Sequence, residues 1–403
     1  MKSKHYLFSF LGLATLLFSC SKNQEQPLET TGQSELSFEE RIMAIPNNEF
    51  EDTQLITAYS AVMKEVLKMS KDGEFRNLVF ENVQEANEFD QDYVFEIENM
   101  TKTLKSFTKF DKSSAKLESM VSKIQSLSPE DAPMIFYPKA ETIEDNLKAN
   151  KNYDVAKNLN EPIAVLKGAF NNDYSAPGYK LDTSGKLVFD RMVTEDYAWN
   201  NDVYVIGAAE NVDMNGSANI TPIDDEWGGG GGGSGGGSSS NTRVDGRAEG
   251  GGLIQVLALN EIEHWTAGKL EFRLIVSGLR NSGGTITNDL KFPKIARKHF
   301  KDKKWYDYGV FLSNWNLTNL ADYSIEKWME RDNGLYESSI EISIPGTSFK
   351  PATSTTPAQP ALPGTKISLK YRKGDEDLGT SLIQFSDNIS QVYNLGQANI
   401  KRK

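Results

Sequence analysis

Along this 403-residue chain the spacing of apolar positions changes character several times. After Lys2 and Lys4 comes an almost unbroken apolar run, Tyr6–Phe18, which ends at Ser19-Cys20. A polar stretch follows, Ser21–Ser34, with too few apolar residues to bury. From residue 36 to about 128, apolar residues recur every three to four positions. Leu55, Tyr59, Val62 and Val66 make one stripe, and Phe75, Leu78, Val79 and Val83 a second. Val94, Ile97, Leu104 and Phe107 make a third, and Leu117, Val121, Ile124 and Leu127 a fourth. This period puts the apolar side chains on one helix face and predicts a helical region over residues 35–130.

From Pro133 the period shortens to two. Met134–Tyr137, Ile163–Leu166, Tyr179–Leu181, Leu187–Phe189 and Val203–Ile206 are expected strands of a β-rich region, 131–227. Asp182-Thr-Ser-Gly185 reads as a hairpin loop with glycine where a positive φ is needed. The segment 228–252 begins with Gly228–Ser240, which holds only Gly and Ser and would span about 20 Å as a flexible coil. Val203–Ile206 and Leu253–Leu259 on its two sides are expected to pair, which makes the segment a loop within one β region; a linker between two domains is the other reading. Residues 253–403 carry Leu253–Leu259, Leu270–Val276, Val310–Leu312, Ile325–Met329, Ile340–Ile344, Ile367–Tyr371 and Leu382–Phe385. Short alternating runs between turn residues predict a β-sandwich, with the proline-rich Pro351–Pro363 bulging from it. The whole pattern is that of an α+β protein: an N-terminal helical part followed by one or two antiparallel β-sandwich modules.

The apolar run at the start is too short to cross ~30 Å of hydrocarbon as a helix. Together with the two lysines and Leu17-Phe18-Ser19-Cys20 it resembles a bacterial lipoprotein signal, although Phe18 is bulkier than the residue usual in such a box. The resemblance implies that residues 1–19 are a signal peptide cut before Cys20, and that Cys20 takes a diacylglyceryl thioether and an N-acyl chain. Several acyl chains hold a protein firmly to its bilayer, so the membrane is the first expected partner. Residues 20–34 then serve as a tether reaching about 20 Å. Ser21 after the lipidated cysteine resembles the pattern of proteins sent on to an outer membrane. The expected location is the cell envelope, outer rather than inner membrane, facing either the periplasm or the cell surface. The order of features, with the run Trp265-Thr-Ala-Gly-Lys-Leu-Glu-Phe272, also resembles a group of envelope proteins of the Bacteroidota phylum. That likeness implies location and architecture only.

With 44 basic and 56 acidic residues the formal charge is −12, which repels a phosphate backbone and argues against nucleic acid as a partner. Lys294–Lys304 is the basic cluster of the chain and reads as a solvated loop. Cys20 has no second cysteine to pair with. His264 and His299, the histidines beyond the leader, belong to no H-E-x-x-H pattern, and no G-x-S-x-G elbow occurs. Catalysis is therefore not indicated. A binding or structural role in the envelope, with a protein or glycan partner, is the expected function. The alternatives are a calcium-assisted lipid- or partner-binding module and a hydrolase with paired carboxylates; among so many acids the latter signal has little specificity.

Two acidic segments invite calcium. Asn211, Asp213, Asn215 and Asn219, with Gly216 among them, match the spacing of an ion-wrapping loop, but Pro222 stands where a closing Glu is expected. Gly374–Gly379, between two expected strands, and Trp328–Asp332 resemble the end of a C2-type sandwich. That likeness implies calcium ligands at Asp332, Asp375 and Asp377, with a structural turn as the competing reading. Trp199, Trp305 and Tyr306 could stack on sugars if exposed, or pack in a core.

Overall fold

The computed structural model describes residues 36–88, 92–129, 131–209, 242–331, 336–354, 357–372 and 375–403. The lipidation box, the ion-wrapping pattern at 211–219 and Asp332 lie outside the described residues. The protein is α+β, with the helices gathered in the first half and sandwich-like sheets in the second.

The first half comprises α1 (Phe38–Met43), β1 (Asn47–Asn48), α2 (Thr53–Met69), α3 (Gly73–Glu88), β2 (Val94–Glu96), α4 (Ile97–Leu104) and α5 (Asp111–Leu127). It continues with β3 (Pro133–Phe136), α6 (Lys139–Ala149), α7 (Val155–Asn158), β4 (Ile163–Leu166), β5 (Ala169–Phe170), β6 (Ala176–Leu181), β7 (Leu187–Val193), α8 (Glu195–Asn200) and β8 (Val203–Ala208). Local chemistry sets several boundaries. Ser37 and Glu40 form a reciprocal capping box at α1, and the Asp52 carboxylate accepts the Gln54 N–H at the start of α2. Asp182 accepts from the N–H groups of Ser184 and Lys186, and Gly185 has φ +79°, so the β6–β7 turn forms as its sequence predicts.

The strands of 131–208 do not build a sandwich of their own. They make a sheet in the order β2-β3-β8-β4-β6-β7, antiparallel except where β4 runs parallel to β8. The apolar stripe of α2 (Ile56, Tyr59, Val62, Met63, Val66) and Leu117, Val121 and Ile124 of α5 share one core with Ile135, Val165 and Val205 of this sheet. Helices and strands that look like successive regions in the sequence thus form one packed layer pair.

The second half comprises β9 (Ala248–Val256), α9 (Leu259–Ile262), β10 (Phe272–Leu279), β11 (Thr285–Lys291), β12 (Trp305–Asn314), β13 (Tyr323–Glu330), β14 (Tyr336–Ile344), β15 (Thr365–Arg372), β16 (Glu376–Gln384), β17 (Tyr393–Asn394) and β18 (Ala398–Lys401). Sheets β11-β10-β13-β16 and β12-β9-β18-β17 enclose a second core with Ile254, Leu274, Val310, Trp328 and Ile400. The hairpin β14–β15 covers the other face of β10 and β13, where Ile275, Ile325 and Met329 meet Ile342 and Ile344. Alternate residues of β13 therefore serve two cores, and all eight are buried.

Three expectations need correction. β8 and β9 do not pair: β8 lies between β3 and β4, so both its edges are taken, while β9 lies between β12 and β18. The end of the Gly/Ser-rich segment is ordered: Thr242 bridges Asn388, and β9 begins at Ala248. Nor does the proline-rich segment simply bulge: Lys350 bridges Gln359 and Thr347 bridges Leu362, which leaves Gln359 buried. Residues Ser37–Lys403 form one compact unit.

Candidate functional site

The segment that joins the two cores is the run 263–272, just after α9. Trp265 is fully buried in the first core, and Leu270 and Phe272 are fully buried in the second. The crossing is tight: a Cβ on Gly268, at φ +116°, would stand 2.8 Å from the Asp92 carboxylate. That carboxylate accepts the Lys269 N–H at 2.9 Å and the Lys294 ammonium at 3.2 Å.

Beside it, His264 stacks on Phe170 with centroids 3.8 Å apart and 8° between planes. Burial pushes its pKa down to about 3, against the Tyr174 carbonyl, which favours a proton, and helped by the Arg297 charge, which opposes one. The ring is therefore neutral, and its contacts assign the tautomer. Nε2 donates to the Tyr174 carbonyl (3.1 Å), and Nδ1 accepts from the Thr266 hydroxyl (2.8 Å). Trp265 Nε1 donates to the same carbonyl at 2.9 Å, and Tyr174 holds φ +60° to present it.

The basic cluster Lys294–Lys304 is not a solvated loop. Arg297 has no exposed surface; it donates to Glu195 Oε1 (3.1 Å), the Glu263 carbonyl (2.8 Å) and Asn260 Oδ1 (2.5 Å). Lys298 reaches Glu141 (2.9 Å) and Asp145 (2.6 Å), and Lys301 reaches Asp196 (3.1 Å). Burial raises the Glu141 carboxyl above its ordinary range despite Lys298. These bases hold the sandwich to acids of the first half, which explains why so charged a segment packs.

Three carboxylates converge at the same crossing. Glu263, Glu271 and Glu330 are all buried, and one oxygen from each lies within 4.8 Å of the others. Glu263 follows α9, Glu271 precedes β10, and Glu330 ends β13 opposite Phe272. The Glu271 N–H donates to Glu330 Oε1 at 3.2 Å, and Lys294 pairs with the Glu271 carboxylate. The Tyr308 hydroxyl is buried and has no hydrogen-bond partner among the described residues; burial first, then the Tyr306, Glu271 and Glu330 groups, raise its pKa.

The residues expected from sequence fall elsewhere. Asp377, at the second position of β16, pairs with Lys327 and accepts the Gly379 N–H, and Asp375 lies two residues before it. Trp199 is half-buried against Phe136 of the first core, with the Lys301 ammonium 5.8 Å from its ring centre. Trp305 lies under Lys401, and Tyr306 packs edge-on to His299 and Tyr308. Among the described residues no ring contact joins Trp199 to Trp305 or Tyr306. A polar cleft of about 330 Å³ is lined by Asp173, Thr194, Glu195, Asn260, Lys301 and Asp302 with others, and Trp199 is not among its lining residues.

Sequence reading missed the three glutamates because nothing distinguishes them among the 56 acids. The one available signal was position: Glu263 and Glu271 flank Trp265–Leu270, and Glu330 directly follows the expected strand Ile325–Met329. The geometry defines a class, an α+β protein in which a helix-covered sheet is clamped to a sandwich. Compared with known proteins, the chain matches no family model, no curated protein and no solved structure.

Proposed function

We propose that the chain is an envelope protein held to its membrane by lipid on Cys20, with a body that binds or scaffolds rather than catalyses. The run Lys2–Cys20 carries this reading: a short cationic start, an apolar stretch below spanning length and the Leu17–Cys20 box. Among the described residues no helix is long and apolar enough to cross a membrane, which is compatible with a lipid anchor. The charge pattern supports the second half of the reading. The bases of the 294–301 segment are engaged in ion pairs that fix the two halves together, and the neutral, stacked His264 is built into the same junction. The polar cleft around Glu195 and Lys301 is the surface we assign to binding. Its carboxylates, the Asn260 amide and the Thr194 hydroxyl suit the hydroxyl groups of an envelope glycan. Labelling of growing cells with a fatty-acid probe tests the anchor. The wild type should carry the label and sediment with membranes, and Cys20→Ala should lose both. Equal labelling of the alanine variant would end the proposal.

A further inference from the structure

We infer that β7 is a dimerisation edge, on which a second copy of this chain lays its own β7 antiparallel to the first. β7 is the last strand of the six-stranded sheet, and among the described residues no strand lies beyond it. Such an edge offers backbone donors and acceptors to any extended segment whose side chains fit. Two large apolar side chains of this strand are exposed, Phe189 at 38% and Met192 at 36%. A bulge decides which side chains share a face. Against β6, Gly178 pairs with Arg191 but Tyr179 pairs with Phe189, so Asp190 is the extra residue. Phe189, opposite Tyr179, and Met192, opposite Pro177, therefore lie on one face. Phe189 meets the Tyr179 ring edge-on at 6.3 Å, and Tyr179 meets Phe38 of α1. Val188, Arg191 and Val193 lie on the other face, opposite Lys180, Gly178 and Ala176. Asp190 joins them there, paired with Lys180 at 2.6 Å and with Arg191 at 2.8 Å, while Arg191 also lies over the Tyr197 ring.

The order Val188-Phe189-Asp190-Arg191-Met192-Val193 is complementary to itself when two copies run in opposite directions. Around a two-fold axis between positions 190 and 191, Val188 meets Val193 of the second copy. Phe189 then meets Met192 of that copy, and Asp190 meets its Arg191. Each pair joins residues of one face, so apolar groups cover apolar groups and each carboxylate faces a guanidinium. Sliding the register by one position sets Asp190 against Asp190, or Arg191 against Arg191, and puts paired side chains on opposite faces. Charge and face thus select the same register. That complementarity, rather than the open edge alone, identifies the occupant. A bulge and central charges blunt an edge toward unrelated strands, but a second copy brings the matching charges at the matching place. Neither the lipid anchor nor the polar cleft enters this inference.

Sedimentation velocity of the full chain in detergent, across micromolar concentrations, is the test. We expect a dimer whose population rises with concentration. Phe189→Glu and Met192→Lys change exposed side chains, so the fold should survive, and each should weaken association about tenfold because each spoils two cross-strand pairs. An equal mixture of the two variants should dimerise again: the introduced carboxylate of one copy then faces the introduced ammonium of the other, and the remaining Phe189 and Met192 still meet. Phe311→Ala, at an exposed side chain of β12, should leave association unchanged. A wild type that stays monomeric at every concentration would overturn the inference. So would a dimer that both charged variants leave intact, or a mixture no more associated than the variants apart.

Discussion

His264 illustrates how little a residue type says until its neighbours are placed. Flat on Phe170 and bonded through both nitrogens, it stays neutral down to about pH 3, whereas in the unfolded chain it takes up a proton near 6.5. Between those values the unfolded state binds one proton more than the folded state. Stability therefore falls by about 1.4 kcal/mol for each unit of acidification across that window. His264→Phe removes this contribution. Going from about pH 7 to about pH 5, the wild type should lose about 2 kcal/mol more than the variant in urea unfolding. Equal losses, or a His264 ring signal titrating near its ordinary midpoint, would refute the neutral assignment. From the sequence, one could read that no histidine pattern for catalysis was present. The stacking could not be read, because Phe170 and Tyr174 lie far away along the chain.

Among the elements, β13 is buried on both faces, so its two residue sets belong to different cores. Trp328 has no exposed surface and meets Phe272 edge-on and Phe292 face-on. Trp328→Ala should destabilise by about 3–5 kcal/mol, through lost burial and the cavity left behind. Phe349→Ala, at a side chain 65% exposed, should change stability by no more than about 0.5 kcal/mol. Chemical denaturation measures both, and similar effects would contradict the two-sided burial. The strand itself was legible as Ile325–Met329 from Ile325, Trp328 and Met329 in a short run between turn residues. β11 was not, because its Thr, Asn, Asp and Lys residues lie at a sheet edge where polar side chains are tolerated. The start of β9 was hidden for another reason. Gly250–Gly252 look like linker, yet a Cβ on Gly251 would stand 2.1 Å from Leu312, so glycine there permits close approach to β12.

For the molecule as a whole, the ion pairs of the 294–301 segment predict how the halves behave once the chain between them is cut. Arg243 is buried against Glu249 and Trp315, whereas Arg247 is exposed. Trypsin should therefore cut early after Arg247 and spare Arg243, and the fragments should co-elute under native conditions. Arg297→Leu, which leaves Glu195 without its buried partner, should let them separate more readily. Prior cleavage after Arg243, or separation of the wild-type fragments, would show that the clamp does not hold.

Period and composition alone determined the α+β class, three of the four helical stripes, most core strands and the Asp182–Gly185 turn, because each depends on residues close together in sequence; of the third stripe Val94 lies in β2 and Phe107 beyond the end of α4. The tertiary structure decided what those elements join. It placed α2 and α5 on the sheet of 133–208 and kept β8 apart from β9. It turned a basic cluster into a clamp whose acids lie 102 positions away at Glu195 and 202 away at Asp92. It also gathered Glu263, Glu271 and Glu330 from three elements into one buried group. Charge pairing and convergence across such separations depend on how the chain folds back on itself, and no local period records that.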